Sequence, residues 1–372
     1  MITNDNYLPW FIVKSIPGIG NHLYKRLINR FKTPENILAA KAAELKTIRG
    51  MSQKAITGIV HCTVKKKAEI ALATVLRGKI RVVTMNDPTY PPLLREIADP
   101  PPFFTFQGEL NADLPCISIV GSRNATAYGL ESAYRLGYDL AVLGFQVVSG
   151  MARGIDTAAH HGALAAKGKT MAILGSGLNW IYPRENQSLF QAICQTGVVI
   201  SEFSPDTRPE PRNFPIRNRL IAGISTGTIV VEAANKSGSL ITARLAADFS
   251  REVFAVPGSI NSHRSHGTHA LIRAGATLVE THRDVIQELH HMVHTEPLDP
   301  LTKPRGKNEN KKELTRVELA IVTILEPYPL HIDKIVEKTD LDIASISAAL
   351  LDLELKGMVR QLPGKLFSIK EE

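Results

Sequence analysis

Between Val147 and Leu164 the chain reads VVSGMARGIDTAAHHGAL, an apolar strand run that stops at a glycine and restarts as a helix. Ser149, Gly150, Arg153 and Gly154 fill the break, and Asp156 and Thr157 open the helix. Glycines let a backbone approach a ligand, a helix start leaves N–H groups free, and an arginine adds positive charge. Such residues make an anion seat. Its occupant could be a nucleotide cofactor, a nucleotide substrate or the backbone of a polymer.

Four other strand ends carry the same residue types. Gly121, Ser122, Arg123 and Asn124 follow CISIV, and GSGLNWIYPREN follows TMAIL. The loop after VVISEF leads to RNFPIRNRLIAGIS, with Asn213, Phe214, Arg217 and Arg219. After TIVVEA come Lys236, Ser237, Gly238 and Ser239. Turns after strands are often rich in Gly and Ser for steric reasons alone. Five on one sheet edge instead point to a shared polyanion site, because ligands of open parallel sheets sit beyond the carboxyl ends of the strands.

Catalytic chemistry finds little support. No strand end supplies a pair of carboxylates; Glu202 and Glu232 are the two candidates for a base, and Asp156 reads as an N-cap or first-turn acid. His263, His266 and His269 have suggestive spacing, but no Cys, Asp or Glu stands within their stretch, so no metal is expected. The GKT at Gly168 precedes a strand and lacks the earlier glycine of a phosphate-binding P-loop. GSGLNW breaks the dinucleotide fingerprint at its third glycine. No cofactor and no catalytic residue are expected.

These loops need a scaffold, and apolar periodicity supplies one. Eight runs (IRVVTM, CISIVGS, FQVVSG, TMAILGSG, VVISEF, TIVVEA, EVFAVPG and TLVE) alternate with amphipathic helical stretches over residues 80–290. That alternation predicts an α/β domain with a parallel sheet covered on both faces. Residues 1–75 read as short helices in which IPGIGNHLYKRLINRF and LKTIRGMSQKAITGIV look like two copies of one unit, resembling the helix-hairpin-helix element. Residues 291–312 are polar and aperiodic, a flexible linker. Residues 313–370 read as three helices and a hairpin turning at Pro363 and Gly364, a winged helix.

Charge is uneven. The first 80 residues carry 14 Lys+Arg against 4 Asp+Glu, while residues 81–290 balance at 18 each. A basic module invites nucleic acid or another polyanion. In the central region 15 of the 18 basic residues are arginine, the better bidentate phosphate ligand. The third helix of the winged region carries Asp342, Asp352 and Glu354 against Lys356, a poor guest for a DNA groove. Cys62, Cys116 and Cys194 form no CxxC pair, and no apolar run is long enough to span a membrane. A reduced, cytoplasmic setting without membrane insertion is expected.

Taken together the motifs resemble one bacterial family, that of DNA-processing protein A (DprA, also called Smf). VGSRNATAYG, VSGMARGIDTAAHHGAL, AILGSGLNWIYPREN, ISEFSP, FPIRNRLIAGIS, EAANKSGSLITARLA and VPGS followed by GTHALIRAGA come in the family's order over about residues 115–280. The resemblance implies an extended Rossmann-like core with SAM-like helical and winged-helix domains. It implies a single-stranded DNA-binding protein of natural transformation, a homodimer through the Rossmann-like domain. Such a protein would shield incoming strands, displace single-strand-binding protein and load the RecA recombinase. The Gly121–Arg123 loop would hold phosphates, with Arg153, Arg217 and Arg219 in or near the groove, Lys236 to Ser239 at its rim, and Phe214 stacked on a base.

Two roles stay open on the sequence. Phe214 could instead anchor its helix, and Arg217 and Arg219 could pair with Glu202 or Glu232. A different class also stays open, since the fold resembles cytokinin-activating phosphoribohydrolases, nucleotide-processing hydrolases with a PGGxGTxxE string. Here the matching region reads NKSGSLITA, without the double glycine or the glutamate.

Overall fold

The computed structural model describes residues 6–78, 80–289, 314–325, 330–339, 341–362 and 364–369. They fall into two compact units that part between Glu296 and Pro297. The linker read over 291–312 lies outside the described residues.

The first unit begins with six helices, Leu8–Ser15, Asn21–Phe31, Pro34–Ala39, Ala42–Lys46, Gln53–Val60 and Lys65–Arg77. The two similar stretches do form matching turns. Gly18 and Gly50 take φ of +92° and +93°, which a side chain would strain. Helix Asn21–Phe31 buries Leu23, Tyr24, Leu27 and Ile28, an i, i+4 stripe along one face. Trp10 stacks on Tyr24 with ring centroids 5.9 Å apart. These helices are not a separate lobe. Phe11 stacks on Phe103 of the sheet at 4.4 Å, and one continuous apolar cluster runs from Trp10 to Ala243.

Nine strands form the central sheet: β1 (Arg81–Thr84), β2 (Phe103–Gly108), β3 (Cys116–Val120), β4 (Gln146–Ser149), β5 (Thr170–Ile173), β6 (Val198–Ser201), β7 (Gly227–Val230), β8 (Glu252–Ala255) and β9 (Thr277–Leu278). Their order is β1-β2-β6-β5-β4-β3-β7-β8-β9. From β6 to β9 every pairing is parallel, and β3 to β7 are buried along their whole length, as a sheet covered on both faces requires. The remaining edge departs from the expected all-parallel sheet. β2, which sequence periodicity did not single out, pairs antiparallel with both β6 and β1.

Strand order reverses around β3. From β3 the chain goes on to β4, β5 and β6 on one side, and from its neighbour β7 to β8 and β9 on the other, so the connections leaving β3 and β7 part at their carboxyl ends. Helices Ala127–Val142, Ile155–Ala165 and Asn213–Ile224 start beside this edge.

The second unit holds helices Arg316–Ile324, Ile332–Thr339 and Ile343–Leu355 over a small sheet. Strands Val359–Leu362 and Leu366–Ile369 form the expected hairpin, and Leu330–His331 pairs with the second of them. Asp342 caps its helix by accepting the N–H of Ser345 at 2.9 Å, and Lys356 is taken up by the buried carboxylate of Glu318. Among the described residues no helix is long and apolar enough to cross a membrane.

Candidate functional site

Four chain segments meet at the carboxyl edge of the sheet around a cleft of about 180 Å³. Arg123 and Asn124 come from the loop after β3, and Gly150, Ala152 and Arg153 from the loop after β4. Tyr182 and Pro183 come from the loop after β5, and Phe214 from the helix that follows β6. A larger hollow of about 520 Å³ lies at the amino ends of the strands, lined by residues such as Pro92, Asn111 and Leu143. The smaller cleft is the better candidate, because it gathers the cations, aromatic rings and loop ends at the edge where such sheets hold ligands.

Phe214 and Arg123 are the centre of the cleft. The Arg123 guanidinium carbon lies 5.0 Å from the Phe214 ring centroid, a cation–π contact. Arg123 is exposed and makes no ion pair among the described residues. The Phe214 ring is half-buried against Gly175, where an added Cβ would lie 2.7 Å from its Cδ1. Tyr182 flanks it at 5.8 Å between centroids. Phe214 thus anchors its helix on one side, as the alternative reading of the sequence has it, and leaves ring surface open on the other.

The anion seat between β4 and its following helix is already filled by the chain itself. Asp156 Oδ2 accepts the N–H of Gly150 at 3.1 Å and of Ala152 at 3.3 Å. The buried carboxylate of Asp156 takes the backbone donors that a phosphate would use. Burial pushes its carboxyl pKa up, opposed by the Arg217 guanidinium and the two amides. The glycines here have packing duties of their own. A Cβ on Gly121 would strike Ile155, one on Gly150 the Arg217 guanidinium, and one on Gly154 (φ +75°) the Ser122 carbonyl oxygen.

Several other expected contacts prove to be internal. Arg217 is only 3% exposed; it donates to the carbonyls of Gly150 (2.7 Å) and Ile173, and burial lowers its pKa to about 10. Arg219 pairs with Glu202, both side chains 8% exposed, and reaches Asp99 at 3.3 Å. The rival pairing foreseen for Arg219 is therefore the observed one, whereas Arg217 meets neither glutamate. Ser149 is buried and donates to the Ile119 carbonyl at 2.6 Å. Asn213 is buried, with its amide 3.4 Å from the Arg208 carbonyl. These four hold the site's frame rather than its surface, since a ligand on the open side does not reach them.

Arg153 is exposed but engaged by Glu185 on the surface, which holds the glutamate's carboxyl below its usual range. Lys236 and Gly238 are exposed and do not line the cleft, and Asn218 Nδ2 of helix Asn213–Ile224 donates to the Gly238 carbonyl at 3.4 Å. Ser237 caps the helix Gly238–Asp248, and its hydroxyl bonds Ser239 at 2.8 Å. Glu232 supports the Thr126 cap of helix Ala127–Val142 through its N–H at 3.0 Å and its hydroxyl. Both strand-end glutamates thus brace structure. Among the described residues no cluster of three metal-ligating side chains occurs.

Sequence reasoning passed over Tyr182, Trp180 and Arg208. Arg208 lies 5.0 Å from the Trp180 ring centroid. The signal was present as aromatic residues spaced two apart inside a glycine-led strand-end loop.

Residues 81–290 match the family described as DNA recombination-mediator protein A. The Smf protein of Synechocystis sp. is 33% identical over 98% of both chains. The chain belongs to the recombination-mediator A family. Two further matches agree with its architecture, a SAM-like helix-hairpin-helix tandem over 12–60 and a DprA winged-helix domain over 305–365. Another recombination-mediator relative, the DprA of Streptococcus pneumoniae, is 43% identical over 54% of this chain and 72% of its own. Its X-ray structure superposes with a TM-score of 0.68, covering 77% of this chain and 98% of that one at 34% identity. The DNA processing protein A of Helicobacter pylori, solved for its single-stranded DNA binding mode, gives a TM-score of 0.52 at 31% identity over 57% of this chain and 98% of its own.

Proposed function

We propose that this recombination-mediator chain binds single-stranded DNA along the carboxyl edge of its sheet, by stacking and phosphate contact, without catalysis. The observation that carries the reading is the exposed Arg123 guanidinium over the half-open Phe214 ring. A ring gives a base a stacking surface that every sequence can use, and the guanidinium takes the adjoining phosphate. Asn124 and the Ser122 hydroxyl extend the polar lip, and Lys236 adds charge at the rim. The seat filled by Asp156 favours a ligand lying over the loops and speaks against a terminal phosphate sunk into them.

The finer reading follows the family. The chain shields incoming strands in the cytoplasm during natural transformation, helps remove single-strand-binding protein, loads the RecA recombinase and acts as a homodimer. The test is binding of a labelled oligo-dT against duplex of equal length across a salt series. Preference for the single strand, with log affinity falling linearly in log salt, supports the proposal. Equal or absent binding of both overturns it.

A further inference from the structure

We propose a second base-stacking subsite, built from Trp180 and Arg208, that takes another nucleobase of the same single strand. It rests on the reading of the strand-end cleft as a single-stranded DNA interface.

The pair repeats the chemistry of the first site. Arg208 lies 5.0 Å from the Trp180 ring centroid, the separation found between Arg123 and Phe214. Arg208 is exposed and Trp180 partly exposed, and Arg208 makes no ion pair among the described residues. Its neighbour Arg212, by contrast, pairs with Glu210 at 2.7 Å. A free guanidinium beside an indole joins a stacking surface to a phosphate ligand.

The platform is rigid before any ligand arrives. Gly177 N–H donates to the Thr207 carbonyl at 2.8 Å, and Asn179 N–H to the Pro205 carbonyl at 3.0 Å. Asn179 Nδ2 donates to Asp206 at 2.7 Å, and the Ser176 hydroxyl to the Trp180 carbonyl at 2.7 Å. The two loops are so close that a Cβ on Gly177 would lie 2.1 Å from the Ser204 carbonyl oxygen. A loop already ordered loses little entropy on binding, which favours its use as a contact surface.

Position also fits. Trp180 stands two residues before Tyr182, whose ring flanks Phe214 at 5.8 Å, and two residues span at most about 7 Å. Trp180 and Tyr182 thus share one loop, and both aromatic–arginine pairs stand on strand ends of the same sheet edge, within reach of one strand.

Trp180 reports on its own occupancy, because the chain's other tryptophan, Trp10, is 5% exposed and stacked on Tyr24. Intrinsic fluorescence and anisotropy would be followed with oligo-dT of about 4 and about 16 nucleotides, the range of single-strand site sizes. The longer oligomer quenches Trp180 emission, and Trp180→Ala weakens its binding by about 5- to 100-fold, with Trp180→Phe restoring most of the loss. Arg208→Ala, a change at the surface, weakens it as well and keeps the test available should Trp180→Ala fail to fold. Wild-type binding without any change in emission, together with unaltered affinity in Arg208→Ala and the tryptophan variants, overturns the subsite and leaves the Phe214 site standing. Absence of wild-type binding overturns both.

Discussion

Asp156 and Gly150 are joined by a hydrogen bond of 3.1 Å from the glycine N–H to Oδ2, and the same oxygen takes the Ala152 N–H at 3.3 Å. The chain supplies its own anion to a loop shaped for one, beside the buried Arg217. Asp156→Ala removes that charge and leaves Arg217 without its nearest counter-charge, at an expected cost of about 2–4 kcal/mol. Inorganic phosphate then raises the Tm of the variant more than chloride at equal ionic strength does. Asp156→Asn also removes the charge but costs less than Asp156→Ala, because both bonds run to one oxygen that a carboxamide reproduces. Equal Tm responses to the two salts would contradict this account of the seat.

The arginines divide by burial into two kinds. Arg219→Ala removes the ion-pair partner of the Glu202 carboxylate, at 8% exposure, and leaves it the Asn21 amide at 3.4 Å, at an expected cost of about 3 kcal/mol in urea unfolding. Arg123→Ala, on the surface, stays within about 0.5 kcal/mol of wild type. Similar urea midpoints for both variants would contradict the division.

Gly175→Ala tests the ring itself without touching a charge. Its Cβ would lie 2.7 Å from Phe214 Cδ1, so the ring must shift out of line with Arg123. Affinity for oligo-dT falls, by less than the roughly 1–3 kcal/mol expected of Phe214→Ala, while the salt slope stays unchanged because no phosphate contact is lost. A changed slope at equal affinity would point away from stacking.

His160 gives the fold an acid limit. Its Nδ1 lies 2.7 Å from Thr170 Oγ1, whose own proton goes to the Val147 carbonyl, so Nδ1 carries hydrogen and the buried Nε2 is left bare. Burial, with His161 and Arg217 nearby, lowers its pKa to about 3. The unfolded chain binds a proton near pH 6.5 and the folded one does not. Stability from this group is thus complete above about 6.5 and is lost as pH falls towards about 3, at up to about 1.4 kcal/mol per pH unit. Unfolding midpoints at several pH values should show a shallower acid loss in His160→Gln than in wild type; parallel curves would contradict it.

Much of this was legible in the sequence, and the limits have physical causes. The eight periodic strands follow from local pattern, since burial writes itself into neighbouring residues. β2 escaped because FFTFQG is a short run with no alternation of its own, and what holds it is pairing on both sides, Thr105 with Val82 and with Ser201. The strand-end residues were found as a set, but their division into surface and frame was not. Whether Arg217 points at a ligand or at the Gly150 carbonyl depends on a contact 67 residues away. Asp156 was read correctly as a residue of the helix start, yet its turn back onto Gly150 depends on the three-dimensional path of the loop. Charge alone did not reveal that Arg153 spends itself on Glu185.

The central claim is that Arg123 and Phe214 grip single-stranded DNA. The most direct measurement is fluorescence anisotropy of labelled oligo-dT with wild type and Arg123→Ala, without nucleotide or metal, over a range of salt. The account predicts tight binding by wild type, a loss of about 1–3 kcal/mol in the variant, and a salt slope smaller by about 1. Unchanged affinity and slope in a folded Arg123→Ala would contradict it.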